Sequence, residues 1–463
     1  MKKNSDTVVK VLVPIGALGM GVDQSDVDAG IAQGAHVIAC DAGSTDSGPA
    51  YLATGLAKYS RDAVKSDLTI LMRVQAAAKI PLLIGSCGTS GSDQALDWTR
   101  DIALEIAEEF GLTPRIALLY SEQDPKKIAS LAESGEISPL PPLETSEPEL
   151  FRSCDHIVAL MGPEPYIAAI EAGADIVLGG RTTDTAVLAA VPLMRGAGSG
   201  PAWHAGKIAE CGGLCTIRTR EGGVMISVGS DHFDVEPLRH GNRCTENTVS
   251  AHMLYENSDP FELHEPGGIL KVADAKYESL DDRRVRVTGS KFVVRPYTMK
   301  LEGAVGLGFQ TIMLVGIQDR KVLANVDMFI DRMHSVLVAR VNATMGARVG
   351  QFDISLRPYG WNAVCGLPVE RENSPARELG LLFVATAKTQ ELATQIAKTC
   401  NPWLFHLPVS DTDAMPSYAF PFSPAEIERG QIFEFKLNHV VAVSDWRDFV
   451  RTTMLDLEVT CNA

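Results

Sequence analysis

The sequence predicts an α/β protein in two parts. Residues 1–283 are expected to form a doubly wound, mostly parallel sheet, and residues 284–463 an α+β domain of the ferredoxin-like, split βαβ kind. Three observations carry this expectation. Short apolar runs alternate with amphipathic stretches through the first 200 residues, which is the βαβ signature. Runs such as Leu82-Leu83-Ile84 and Ile176-Val177-Leu178 lack polar alternation, as strands do when helices cover both sheet faces. Beyond about Arg284 the order of elements changes to β-α-β-β-α-β.

In order, strands are expected from Val8 to Val13, Val37 to Cys40, Pro81 to Gly85, Arg115 to Tyr120, His156 to Leu160 and Asp175 to Gly179, with a helix from Asp93 to Phe110. Ala29 to Ile38 parallels Ala168 to Val177, and each run leads to a Thr-Asp loop, Thr45-Asp46 and Thr183-Asp184. This suggests two related halves, although any helix–Gly–strand unit looks similar; either way Thr-Asp falls just beyond a strand's carboxyl end. Residues 121–152, around Pro139-Leu140-Pro141-Pro142, read as an excursion, and residues 194–206 as a Gly/Ala/Ser loop. The second part reads as strand Gln310 to Ile317, helix Val322 to Met345, strands Phe352 to Arg357 and Leu379 to Thr386, helix Thr389 to Cys400 and strand Phe433 to Val443.

Composition narrows the function classes. The chain has 463 residues, 45% hydrophobic, so a large core is affordable, and a formal net charge of −16 with no dense basic run. Nucleic acid and anionic membrane partners are therefore disfavoured, since both require a basic footprint. No stretch approaches the roughly 20 apolar residues of a membrane span. No apolar leader follows Lys2-Lys3, so a cytoplasmic protein is expected. The nine cysteines are scattered without a C-x-x-C pair, which suits buried thiols better than a disulfide framework or structural zinc.

Four loops could carry chemistry. Pro14 to Gly21 follows the first strand but lacks the G-x-G-x-x-G dinucleotide spacing. Cys40 to Gly48 places Asp41, Ser44, Thr45 and Asp46 directly after a buried strand, where ligands bind in open α/β sheets. An Asx-turn and a helix cap would use only one Asp and one Ser of that set. Gly85 to Asp93, with Ser86, Thr89 and Ser90, opens a helix whose free N–H groups favour an anion, but it lacks a P-loop lysine. Gly179 to Asp184 offers Arg181 as a bidentate carboxylate clamp, or equally as an ion-pair partner of Asp184. Further on, His204 and Glu210 could move protons, although a lone His or Glu is more often structural. Strand alternation puts Lys300 and Glu302 on one face, as an ion pair or part of a substrate site.

The segments Gly-Ala-Asp-Ile-Val-Leu-Gly-Gly-Arg-Thr-Thr-Asp-Thr-Ala (173–186), His204 with Glu210-Cys211-Gly212, Leu254-Tyr255-Glu256, and Tyr297 to Gly303 resemble the acyclic terpene utilisation AtuA-like family. The resemblance spans roughly Lys10 to Val443, and loops 16–21 and 40–48 follow the family's pattern only loosely. It implies a catabolic protein for branched acids or their thioesters, with a small, separately encoded companion subunit.

Together these readings predict a catabolic lyase, a hydratase/dehydratase acting on a small branched or dicarboxylic acid or its acyl thioester. Asp41 or Asp46 would serve as base, with His204 or Glu210 as acid partner. Ser44, Thr45, Ser86, Thr89, Ser90, Arg181, Thr182, Asp184, Lys300 and Glu302 would hold the substrate. No cofactor is expected, although oxygen-rich loops would suit a divalent metal such as Mg²⁺. A homo-oligomer is expected. The alternative is a non-catalytic binding or assembly subunit that works with the companion protein. Hydrolysis through Ser44, Ser86 or Cys87 is weaker, because no G-x-S-x-G elbow exists.

Overall fold

Five parallel strands form the centre of the larger unit: β1 (Val9–Val13), β2 (Val37–Asp41), β3 (Leu82–Gly85), β4 (Arg115–Tyr120) and β5 (Ile176–Gly179). They lie in the order β1-β2-β3-β5-β4, all neighbours parallel. On the β1 side the sheet continues antiparallel through β6 (Val224–Val228), β7 (His232–Pro237), β8 (Lys276–Ser279) and β9 (Val285–Thr288), in the order β1-β6-β7-β9-β8. The computed structural model describes residues 8–366 and 377–457.

Both faces of the parallel sheet are covered, which is why its strands are apolar except near their ends, at Lys10, Asp41 and Arg115. Leu12, Ile38, Ile84, Leu118 and Leu178 pack on one face with Leu68, Leu71, Ile102 and Ile106 from helices Arg61–Ala78 and Asp93–Phe110. Val11, Ala39, Leu83, Ala117 and Val177 pack on the other with Val187, Ala190, Ala205 and Ile208 from helices Ala186–Met194 and Ser199–Ala209. Helix Asp93–Phe110 has the bounds its sequence signals dictate. Ser92 Oγ accepts from Ala95 N at 3.3 Å at one end, and Gly111 turns left-handed at the other.

The structure departs from expectation in four places. His156–Ala159 is a strand but not a member of the parallel sheet; it pairs antiparallel with Leu301–Ala304. Residues 199–209 are helical rather than loop, because Gly200 to Ala209 are all buried and the small residues among them allow close packing. The helix expected from Val322 is two helices, Arg320–Ala324 and Val326–Met345, separated by Asn325. The chain also divides elsewhere than at residue 284: one unit is Met1–Val305 with Phe435–Ala463, the other Gly306–Glu434. The last strand, Arg451–Asp456, belongs to the larger unit, where it pairs antiparallel with β4.

In the smaller unit, strands follow the order Phe352–Tyr359, Leu379–Ala387, Thr298–Ile317, Ile427–Ala442, and the chain enters and leaves this unit within the last two. Its core joins Met313, Val315, Leu381 and Phe383 of the sheet to Phe329, Met333, Ile396 and Cys400 of helices Val326–Met345 and Gln390–His406.

Candidate functional site

Because β1, β2, β3 and β5 are adjacent and parallel, the loops at their carboxyl ends meet at one edge of the larger unit. Leu18 N donates to Asp41 O at 2.9 Å, Thr89 Oγ1 to Ala42 O at 3.2 Å, and Arg181 Nη1 to Ser86 Oγ at 3.1 Å. Beside them opens a cavity of about 1100 Å³. Its wall includes seven carboxylates (Asp23, Asp41, Asp46, Asp184, Glu210, Glu221 and Glu256) against three cations, Lys58, Arg220 and Arg239. Asp23 is already engaged with Arg239 at 2.7 Å, while Asp184 and Glu210 are paired with the buried Arg181 and Lys207.

Asp41 ends β2 and is 5% exposed. Its Oδ2 accepts from Gly43 N at 2.9 Å, while its buried Oδ1 has no hydrogen-bond partner among the described residues. Burial, reinforced by the Asp184 charge, pushes its carboxyl well above the usual carboxylate range; Arg181 and the backbone N–H groups of Gly43 and Ala42 oppose this. Asp184 is pushed up to about 6, by burial first and by the neighbouring Glu210, against Arg181 and Lys207. Burial and mutual like charge thus raise both carboxyls, Asp41 the more strongly, and favour a proton kept on this pair.

A buried ion network supports this pair. Arg181 Nη1 donates to Asp184 Oδ1 at 3.1 Å and its Nε to Glu302 Oε2 at 3.0 Å. Glu302 also accepts from Thr45 Oγ1 at 2.9 Å and lies 3.1 Å from Lys300 Nζ. Burial works against the Arg181 charge, but Glu302 and Asp184 outweigh it and keep the guanidinium protonated. Burial likewise opposes the Glu302 charge, yet Arg181 and Lys300 hold its carboxyl down at about 2. On the far side of Asp184, Lys207 Nζ donates to Glu210 Oε1, both side chains buried.

The predicted residues thus fall into three groups. Asp41, Ser44, Asp46, Asp184 and Glu210 line the cavity. Thr45, Ser86, Thr89, Ser90, Arg181, Thr182 and Glu302 are buried behind it, with their polar atoms engaged by protein partners, and Lys300 pairs with Glu302. Arg181 takes the ion-pair role rather than standing free as a clamp. Thr182 Oγ1 meets Tyr166 OH at 2.7 Å, and Ser90 Oγ donates to Ser92 Oγ at 3.3 Å. His204 is not at the cavity. Its helix turns it into the core, where Nδ1 meets Ser290 Oγ at 2.7 Å and the ring packs edge-on to Phe233. Burial lowers its pKa to about 3, so it stays neutral and cannot be the acid partner.

Three residues of this region escape a reading of the sequence. Lys207 sits one helical turn before Glu210, a spacing that does announce an ion pair. His252 lies just before Leu254-Tyr255-Glu256, and its Nε2 comes within 3.8 Å of Glu210 Oε1. Glu265 is buried and accepts from Thr185 Oγ1, next to Asp184 in sequence. Neither His252 nor Glu265 has a local signal, because each reaches this region through tertiary packing.

A parallel sheet covered on both faces, with a carboxylate-walled cavity at the carboxyl ends of its strands, defines an α/β protein whose candidate site lies at that edge. Among the described residues, no helix is long and apolar enough to cross a membrane. Residues 57–412 match the family described as acyclic terpene utilisation family protein AtuA, and the chain belongs to that family. The matched span contains segments 173–186, 204–212, 254–256 and 297–303, and excludes loops 16–21 and 40–48. No curated protein and no solved structure matches the chain.

Proposed function

We propose that the protein is a hydro-lyase, adding water to or removing it from a branched acyl thioester, with Asp184 and Asp41 as the proton-transfer pair. The observation that carries this reading is the meeting of two buried carboxyls in one cavity wall in unlike surroundings, Asp41 with its Oδ1 lacking a hydrogen-bond partner among the described residues and Asp184 paired with Arg181 at 3.1 Å; burial raises both, Asp184 to about 6. Two carboxyls driven apart by their environments supply one acid and one base at neutral pH. In the dehydrating direction Asp184 takes the proton alpha to the thioester carbonyl. Asp41 gives its proton to the departing hydroxyl, water leaves, and the carbon–carbon double bond forms. These assignments move the base from Asp41 or Asp46 to Asp184, and the acid from His204 or Glu210 to Asp41. Glu210 stays within the cavity wall, held by Lys207.

The wall also bears on the substrate. With Asp184 and Glu210 neutralised by Arg181 and Lys207, the remaining wall acids, Asp46 and Glu256 among them, weigh modestly against a free dicarboxylate and for a thioester uncharged at its reacting end. Arg181 acts at one remove, as a positioning residue that holds Asp184 at 3.1 Å. The reading needs no cofactor, and a cytoplasmic oligomer working with a small companion subunit accords with it. Helices on both faces of the parallel sheet support a doubly wound larger unit, and the strand order of the smaller unit supports a ferredoxin-like one.

The test is incubation of the full chain, with and without its companion, against branched acyl thioesters and free dicarboxylates in deuterated water. Thioesters should incorporate deuterium at the alpha carbon. Asp41→Asn and Asp184→Asn should each lower the rate by at least about 100-fold, the scale of general acid–base catalysis. Exchange that survives both substitutions, or binding without exchange in every combination, contradicts the proposal; the latter result selects the binding-subunit alternative.

A further inference from the structure

We propose that Glu210, Cys211 and His252 form a binding site for a zinc-type transition-metal ion in the wall of the cavity. The ligating atoms of these three side chains all lie within 4.8 Å of one another. His252 Nε2 stands 3.8 Å from Glu210 Oε1, close to the roughly 3.4 Å edge expected between oxygen and nitrogen ligands of a tetrahedral zinc.

A second observation is independent of that clustering. His252 is 4% exposed, and its Nε2 has no hydrogen-bond partner among the described residues. A buried ring nitrogen that faces a carboxylate at 3.8 Å is too far for a hydrogen bond and well placed for an ion between them. Stacking on Tyr255, with ring centroids 5.5 Å apart, fixes the imidazole plane.

The donor set selects the ion. Nitrogen, thiol sulfur and one carboxylate oxygen suit zinc and its neighbours, whereas Mg²⁺ and Ca²⁺ require oxygen ligands throughout. A bound ion would displace the Cys211 proton and take a thiolate. Three protein ligands leave a fourth position. Glu210 and Cys211 both line the cavity, so that position faces the ligand space, the arrangement of a catalytic rather than a structural zinc. Lys207 is no obstacle in principle, since a carboxylate offers about four lone-pair sites and can accept from an ammonium while binding a metal. The site concerns occupancy of the cavity wall and stands or falls apart from the hydro-lyase reading.

The experiment uses the full chain, stripped with chelator, and titrates Zn²⁺ and Co²⁺ in parallel, with elemental analysis of the dialysed protein. The expected result is one equivalent of zinc per chain and, with Co²⁺, a thiolate-to-metal charge-transfer band. Cys211→Ser should abolish that band, and His252→Ala should weaken zinc binding by more than about 100-fold, beyond the loss typical of an outer-shell contact. Cys365→Ser, at an exposed cysteine, should change neither. Circular dichroism establishes that each variant is folded; should Cys211→Ser fail to fold, Glu210→Gln replaces it and should weaken zinc binding by a similar factor. Folded wild-type protein that takes up no zinc, or zinc uptake undiminished by the His252 and Cys211 or Glu210 substitutions, overturns the proposal.

Discussion

Asp41 and Glu265 are both buried acids with one oxygen satisfied and the other without a hydrogen-bond partner among the described residues. Such a group resists ionisation, and its resistance is measurable as stability. Glu265 is pushed up from 4.5 to about 8, by burial first, with the Thr185 and Thr183 hydroxyls opposing. Its folded form binds the proton more tightly than the unfolded chain does. The stability it contributes is therefore complete below pH 4.5 and is lost as pH rises through about 8. Between about pH 5 and 8, wild-type unfolding free energy should fall by a few kcal/mol more than that of Glu265→Gln, which has no proton to lose. Parallel pH profiles in denaturant titrations would contradict this. At this scale Asp41, Asp184 and Glu210 were legible in the sequence, because carboxylates crowd just after strands or at a helix end. His252 was not, since a lone histidine in a polar stretch acquires its partners only when the chain folds.

At the scale of elements, the crossing of loops 85–93 and 179–184 decides where Arg181 stands. Gly91 has φ +62, and a β-carbon on it would lie 2.2 Å from Arg181 N, a backbone atom that cannot yield cheaply. Gly111, with φ +63, has open space around it. Gly111→Ala should cost about 1 kcal/mol, the ordinary penalty for a left-handed alanine. Gly91→Ala should cost on the order of 3 kcal/mol or more and, by shifting Arg181 and hence Asp184, reduce thioester exchange even in the folded fraction. Equal effects of the two substitutions on chemical denaturation would show that the loops are not packed so closely. Helix Asp93–Phe110 could be read in advance because its end signals, Ser92 and Gly111, are local. The sheet membership of His156–Ala159 could not, because it depends on pairing with Leu301–Ala304, far away in the chain.

For the molecule as a whole, the order β1-β2-β3-β5-β4 turns four separate loops into one site, and that convergence follows from a run of parallel neighbours. The alternation of apolar runs and helices foretold the parallel sheet, while the antiparallel extensions and the return of Arg451–Asp456 to β4 rest on long-range pairing that no local pattern encodes. The expectation of a carboxylate clamp failed for a related reason. Arg181 has donors enough for a ligand, but the fold supplies Glu302, Asp184 and Ser86 to meet them. What the convergence leaves facing the cavity is acid rather than base, and the function proposed for it rests on two of those acids behaving differently. Carboxyl carbon-13 titration of aspartate-labelled protein, with Asp41→Asn and Asp184→Asn to assign the two resonances, measures this directly. Asp184 should titrate near pH 6, with Asp41 still protonated after the surface aspartates have ionised; both resonances titrating together near the ordinary aspartate value of about 3.9 would contradict the account.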